Sequence, residues 1–547
     1  VKLVMSSAMS LACRLRATQV LRRRAVARGT WRSQHRGLVQ SGVASLEPPK
    51  FVKVPIIEES QSRLMEDMPD LVLGGHAPNH DKRNPYRTVP LDEPIECNEA
   101  SGPASEEAYP EPHFGRLENG VQVIAVDRQG LCSSLGLYVH TGSRFISKEH
   151  AALPHMLELM AFRGSAHLSH LRTQKTLEQL GAAASCRVGR EDVLFQMDVL
   201  REYVPVALPL MLANVLCPSV LPDEVAEAQQ HVIELQQMME EKPESWVVEL
   251  LHVAAYKDNT LGHALYATEQ DLPLCSPENI KRFIAEECTP DRLTVVGVNV
   301  DFQELCKWTA RSFAEQGHTI HHASQGQREL QLAKYTGGEI RVARPNPLCH
   351  LIFGWEVPGG WNGQWLAAVT VLQMFLGGGG SFSTGGPGKG MHTRLYTEVL
   401  NRYHWAESCQ ASSVMYIDSG LLTVYATVMP QFGSQFHNVL AQIFEGVAKM
   451  SNIELERAKN ALKSSIHMNL EMRAVMMEDM GRQMVLSGKV GTAQEFTRMV
   501  DAITKEDLVE ALKVCLKSPV SLVAFGAIEQ VSPYEQIAKR FSDVTLP

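Results

Sequence analysis

One order of elements is written twice along this 547-residue chain, and that repetition limits the fold more than any single motif does. In the first half, 120–125 (GVQVIA) reads as part of a hairpin and 135–144 (LGLYVHTGSR) as a strand ending in a glycine turn. Apolar spacing then predicts a helix over 149–163, alternating strands over 180–200 and a helix starting near Val204. A long helix with a Pro–Asp start follows over 221–241, and a helix and strand over 279–300 close this half. In the second half, 351–360 (LIFGWEVPGG) repeats the strand with its glycine turn, and 363–376 repeats the helix after it. The paired strands recur at 404–428, the long helix at 453–468, and the closing helix and strand at 507–528. Such agreement in order points to duplication. The expectation is an α+β chain of two halves of about 200 residues, 114–314 and 336–547, joined by a polar linker over 315–335.

The segment before this body has a different chemistry. Residues 1–46 hold nine Lys+Arg and no acid, with Leu11, Leu15, Val20 and Leu21 interspersed. That is the composition of a mitochondrial transit peptide. Arg14, Arg16 and Arg22 to Arg24 break up what a secretory signal would need as an apolar core, and Arg36-Gly37-Leu38 is a plausible cut. Removing those nine bases leaves 52 − 9 = 43 Lys+Arg against 61 Asp+Glu in 47–547, a net charge of −18. A body so acidic disfavours nucleic acid and favours a basic partner. Residues 47–113 contain eleven of the 28 prolines and acidic pairs such as Glu58-Glu59, and read as an extended arm with little structure of its own. Eleven scattered cysteines without a CxxC suit reduced thiols. No apolar run approaches the ~20 residues that span a bilayer.

Two stretches carry candidate chemistry. The first is 377–390, GGGGSFSTGGPGKG, in which eight of fourteen residues are glycine. Glycine frees φ and ψ and bares the backbone N–H and C=O, so such a stretch can lie against an extended peptide and bond to it. The bland reading is a surface linker. Against it, the stretch follows a well-patterned apolar run (366–376) and carries Phe382, Lys389 and Met391. A phosphate loop is excluded, because Lys389 is followed by Gly390 where Ser or Thr is required. The second stretch is His155-Met156-Leu157-Glu158-Leu159. The inverted zinc motif H-x-x-E-H sets two histidines four apart on one helical face, with the glutamate as general base. Its second histidine is replaced here by Leu159. The structural alternative makes His155 and Glu158 polar residues of a helix packed through Leu153, Leu157, Met160 and Phe162. No G-x-S-x-G elbow is present.

A near-complete H-x-x-E-H, a tandem α+β duplication and a matrix-type leader together resemble the pitrilysin-like (M16) metallopeptidases, over about 114–530. The resemblance implies two domains, each a mostly antiparallel sheet packed with helices. The family's third zinc ligand, a glutamate, falls by counting on Gln236, with Glu234 nearby. Residues 377–405, 457–471 and 250–265 resemble the α-type branch of the family's mitochondrial processing heterodimers. In that branch the α subunit carries no working site, and a β subunit supplies zinc and the intact motif. The resemblance therefore implies no catalytic residue and no metal in this chain, with zinc in the partner. It implies basic presequence peptides as ligands of Gly377, Gly378, Gly379, Gly380, Ser381, Phe382, Gly385, Gly386, Gly388, Lys389, Gly390 and Met391. It places the protein in the mitochondrial matrix, or at the matrix face of the inner membrane, because family members also serve as core proteins of the cytochrome bc1 complex. Two other classes are thus open: a structural bc1 core role, and a peptidase active by itself.

Overall fold

The computed structural model describes residues 52–54, 110–147, 152–257, 259–315, 330–381 and 390–546. The leader 1–46, most of the arm 47–113 and the linker positions 316–329 lie outside these residues.

The first half begins with strands β1 (Val52–Val54), β2 (His113–Leu117), β3 (Gln122–Val126) and β4 (Cys132–Val139). Helices α1 (Leu153–Met160) and α2 (His170–Gln179) precede β5 (Ala183–Val188) and β6 (Val193–Leu200). Then come α3 (Val204–Leu216), α4 (Pro222–Glu241), α5 (Pro243–Tyr256), α6 (Pro277–Glu287), β7 (Leu293–Val298) and α7 (Phe302–Glu315). The second half runs β8 (Gly338–Ala343), β9 (Cys349–Glu356), α8 (Leu366–Leu376), β10 (Gly378–Gly380), β11 (Ala406–Met415) and β12 (Gly420–Val428). It ends with α9 (Phe436–Val447), α10 (Asn452–Leu470), α11 (Arg473–Ser487), α12 (Ala493–Ala502), α13 (Lys505–Leu516), β13 (Ser521–Gly526) and α14 (Tyr534–Ser542).

Local signals explain most boundaries. Pro222 opens α4 at a position whose N–H has no helical acceptor anyway, and Asp223 and Glu224 follow in the first turn. Capping boxes start α10, α12 and α13, from Ser451/Glu454, Thr492/Glu495 and Thr504/Asp507. The glycine turn after β9 is real: Gly359 and Gly360 have φ of 81° and 48°, which a side chain would resist. The helix expected over 149–163 is shorter, because Phe162 sits at φ 57° and ends it, while 148–151 lie outside the described residues.

The two sheets share one plan. Their orders are β1-β2-β3-β7-β4-β6-β5 and β10-β11-β12-β9-β13-β8. The parallel pair β3/β7 corresponds to β8/β13, and β4, β6 and β5 correspond to β9, β12 and β11, all antiparallel. What differs is the edges. The second sheet gains β10 beside β11, and the first gains β2 and β1 at its opposite end. From the arm, β1 contributes one short edge: Val52–Val54 pair in parallel with Gly115–Leu117.

One feature runs against a simple pair of independent halves. On one face each sheet packs its own half's helices, burying for instance Leu137, Phe195 and Met211 in the first half and Phe353, Trp355 and Phe444 in the second. On the other face the halves exchange a helix. From the first half, α5 lays Val247, Leu251 and Ala255 on Ile352, Val523 and Phe525 of the second sheet. From the second half, α11 lays Met477, Met480 and Met484 on Tyr138, Leu194 and Val296 of the first sheet. Glycines make room: a Cβ at Gly136 would overlap the Met477 sulfur, and one at Gly354 would lie 3.1 Å from Leu251.

Candidate functional site

The near-motif helix α1 is entirely buried. The His155 ring is 2% exposed, stands edge-on to Tyr266 at 5.3 Å between centroids, and accepts at Nδ1 from the Ala267 N–H at 3.1 Å. Glu158 accepts at Oε2 from the Val188 N–H of β5 at 3.2 Å. Leu159 is part of the first half's apolar core. Gln236 accepts from the Glu269 N–H at 3.2 Å, and Glu234 turns towards His231 at 3.9 Å with its side chain 44% exposed. This donor set does not fit a family zinc site. A leucine has no lone pair to give, and one histidine nitrogen is already taken by a backbone amide. Among the described residues no group of three or more His, Cys, Asp or Glu could hold a metal ion.

Burial pushes the imidazoles of His140, His155 and His350 down to about 4. An unfolded histidine titrates near ~6.5, so the unfolded chain takes up protons that the folded one refuses, and stability falls as pH drops from about 6.5 to about 4. Asp479 runs the other way: burial raises it to about 7, which favours the folded state at low pH. Burial also lowers His437 and raises Glu244 and Glu356, and between pH 6.5 and pH 5 the four imidazoles, which take up protons there once unfolded, set the sign. The melting temperature is therefore expected to fall between pH 6.5 and pH 5, and to fall less in His155→Gln, whose amide can still accept from Ala267. A melting temperature that stays level over that range would contradict neutral burial of these rings.

The glycine-rich stretch lies at the edge of the other sheet. Gly377 ends α8 with φ 57°, its N–H bonded to the Gln373 carbonyl at 2.8 Å. Gly378–Gly380 then leave as β10, antiparallel to Ser408–Gln410 of β11. The ladder continues on both sides: the Gly377 carbonyl accepts from Ala411 N at 2.9 Å, and Ser381 N donates to the Glu407 carbonyl at 2.7 Å. Gly378, at φ 101°, lies so close to the Cys409 carbonyl that no Cβ fits. One margin of β10 is thus spent on the protein's own sheet, which the sequence did not announce. β10 is the outermost strand of that sheet. Gly390 returns at φ 69°, and Met391 is 38% exposed. Phe382, Gly385, Gly386, Gly388 and Lys389 lie outside the described residues.

Sequence reading missed Thr393 and the π-helical turn Tyr396–Leu400 after it. It also missed the cluster of buried Arg144 and Glu191 with part-buried Asp418 between the halves. No pattern in one dimension marks a threonine or an arginine for such contacts. No helix among the described residues is long and apolar enough to cross a membrane. Of the nine cysteines among the described residues, all but Cys132 are buried.

Comparison with known proteins agrees with this architecture. The family described as insulinase (peptidase family M16) matches residues 122–269, and the peptidase M16 inactive domain matches 275–462. The mitochondrial-processing peptidase subunit alpha of Solanum tuberosum is 32% identical over 462 residues, 83% of this chain and 90% of that protein. The probable subunit alpha-2, chloroplastic/mitochondrial, of Arabidopsis thaliana is 33% identical over 429 residues, covering 78% and 84%. The Bos taurus subunit alpha is 29% identical over 436 residues, covering 77% and 83%. A chain of complex III2 from Candida albicans, with Inz-5 bound, shares the fold: TM-score 0.66 over 78% of this chain and 99% of that one, at 18% identity. The chain belongs to peptidase family M16, and homologues over most of its length are alpha subunits of the mitochondrial-processing peptidase.

Proposed function

We propose that this chain is the non-catalytic, substrate-capturing subunit of a heterodimeric mitochondrial processing peptidase. Its units are the halves 114–314 and 336–547, each lending the other a helix, and its site of action is the matrix. Its ligands are the basic presequences of imported precursors. Cleavage belongs to a β-type partner that carries zinc and the intact H-x-x-E-H. The single observation that carries the reading is on α1: His155 and Glu158 are bonded to backbone amides and Leu159 is core, so the helix that would hold zinc is a structural part.

Two further features support it. A body of net charge −18 draws in cationic peptides, with an effect that weakens as salt rises. The glycine stretch of 377–390, with Lys389 and Met391 at its end, offers backbone that bonds to an extended peptide without reading its side chains. That suits substrates alike in charge but not in sequence.

The test uses the heterodimer reconstituted with its zinc-bearing partner. Deleting 382–389 is expected to lower kcat/KM for a presequence peptide about tenfold, mainly through KM, with zinc retained. Unchanged kinetics would reject the capture role. Zinc and cleavage in the isolated chain would make it a peptidase in its own right. Co-migration with respiratory subunits on a native gel, without a processing partner, would instead favour the bc1 core role.

A further inference from the structure

We propose that Thr393 is the clasp that fixes where the glycine-rich stretch leaves and rejoins the fold. It is a positioning residue for peptide capture, and to that extent it rests on the reading just given. Its buried hydroxyl accepts from the Gly378 N–H at 3.0 Å and donates to the Gly390 carbonyl at 2.7 Å. Its own N–H donates to the same Gly390 carbonyl at 2.9 Å. One side chain thus joins the strand on which the stretch departs to the turn on which it returns. A threonine that merely capped its own turn would bond to Gly390 and stop there; the bond to Gly378 reaches across.

The residues around it hold the clasp still. A Cβ at Gly377 would collide with the Thr393 side chain, so the glycine there is required by packing as well as by its φ of 57°. Behind it, Thr397 donates to the Thr393 carbonyl from N at 2.9 Å and from Oγ1 at 3.0 Å, which leads into the π-helical turn. Arg394 pairs with Glu454 at 2.8 Å and 3.1 Å and places its guanidinium 5.5 Å from the Phe375 ring. Glu454 in turn belongs to the capping box of α10, bonding to Ser451 N and Oγ at 2.8 Å each. The clasp is therefore referenced to the last turn of α8 and the first turn of α10. A hydroxyl supplies one donor and at least one acceptor, and both are used here. Valine keeps the shape of threonine but offers neither.

The test compares Thr393→Val and Thr393→Ser in the reconstituted heterodimer, with a presequence peptide as substrate and the 382–389 deletion alongside. Thr393→Val is expected to raise KM about fivefold, the ~1 kcal/mol of one hydrogen bond. Its kcat and zinc content stay at the wild-type values, its melting temperature falls by no more than about 4 °C, and amide exchange quickens across 377–381. Thr393→Ser, which keeps the hydroxyl, restores KM and exchange. If the deletion raises KM but Thr393→Val does not, the clasp is refuted while the capture role stands. A silent deletion overturns both. A larger fall in melting temperature, with kcat and KM shifting together and no rescue by serine, makes Thr393 merely structural and overturns the proposal.

Discussion

Placing a single methyl on Gly481 is expected to destabilise the protein by about 2–3 kcal/mol. In an exposed helix the same change would stabilise by ~1 kcal/mol, because alanine loses less backbone freedom than glycine. Here the sign is set by what faces it. A Cβ at Gly481 would overlap the Tyr138 ring, with Cδ2 at 2.6 Å and Cζ at 2.7 Å and Cε2 closer still. The ring cannot step aside. Tyr138 is fully buried, and its hydroxyl donates to the Glu478 carbonyl, on the same helix, at 2.8 Å. The exchanged helix α11 would have to lift off the first sheet, taking Met477, Met480 and Met484 with it. Urea unfolding of Gly481→Ala, Tyr138→Leu and the double variant checks this. The double variant should be more stable than the sum of the single losses predicts, because the smaller side chain admits the methyl. Additive losses would mean that the two residues do not oppose each other.

The second large effect is expected at the seam between the halves. Arg144 pairs with Glu191 of the β5–β6 turn and, at 2.7 Å, with Asp418 of the β11–β12 hairpin; the Arg144 and Glu191 side chains are 1% and 3% exposed. It also donates to the Gln331 carbonyl at 3.0 Å. The carboxylates are bound in turn: Glu191 accepts from Ile417 N at 3.0 Å, and Asp418 from Ala333 N at 2.6 Å. Arg144→Met keeps much of the volume and removes the charge. The buried Glu191 carboxylate and the part-buried Asp418 carboxylate are then left facing each other without a cation, at a cost of about 3–5 kcal/mol. By contrast, removing Arg402, whose pairing with Glu398 is largely in water, should cost under ~1 kcal/mol. Adding Glu191→Gln and Asp418→Asn to Arg144→Met should recover part of the loss in thermal melts. A loss no greater than that at Arg402 would show that the seam draws little from this cluster.

How much of this was legible beforehand differs from element to element. The paired strands over 180–200 and 404–428, the Pro–Asp start of α4 and the glycine turn after β9 were all readable. Each depends on contacts between residues close in sequence, so alternation, proline and glycine report it directly. The defect at Leu159 was equally plain, because a missing ligand is a matter of residue type. The roles that His155 and Glu158 took up instead were not plain. Their partners, Ala267 and Val188, are 112 and 30 residues away.

The sequence by itself determined the duplication, the α+β character of each half and the absence of a second histidine in the zinc-type motif. Only the tertiary structure decided which sheet each helix covers. Periodicity shows that α5 and α11 have apolar faces, but an apolar face has no address, and any sheet of matching shape can receive it. The exchange of α5 and α11 was settled by fit, with Gly136, Gly354 and Gly481 opening the space. The same holds for Thr393: its hydroxyl gains meaning only when α8, β10 and the returning chain bring Gly378 and Gly390 to either side of it.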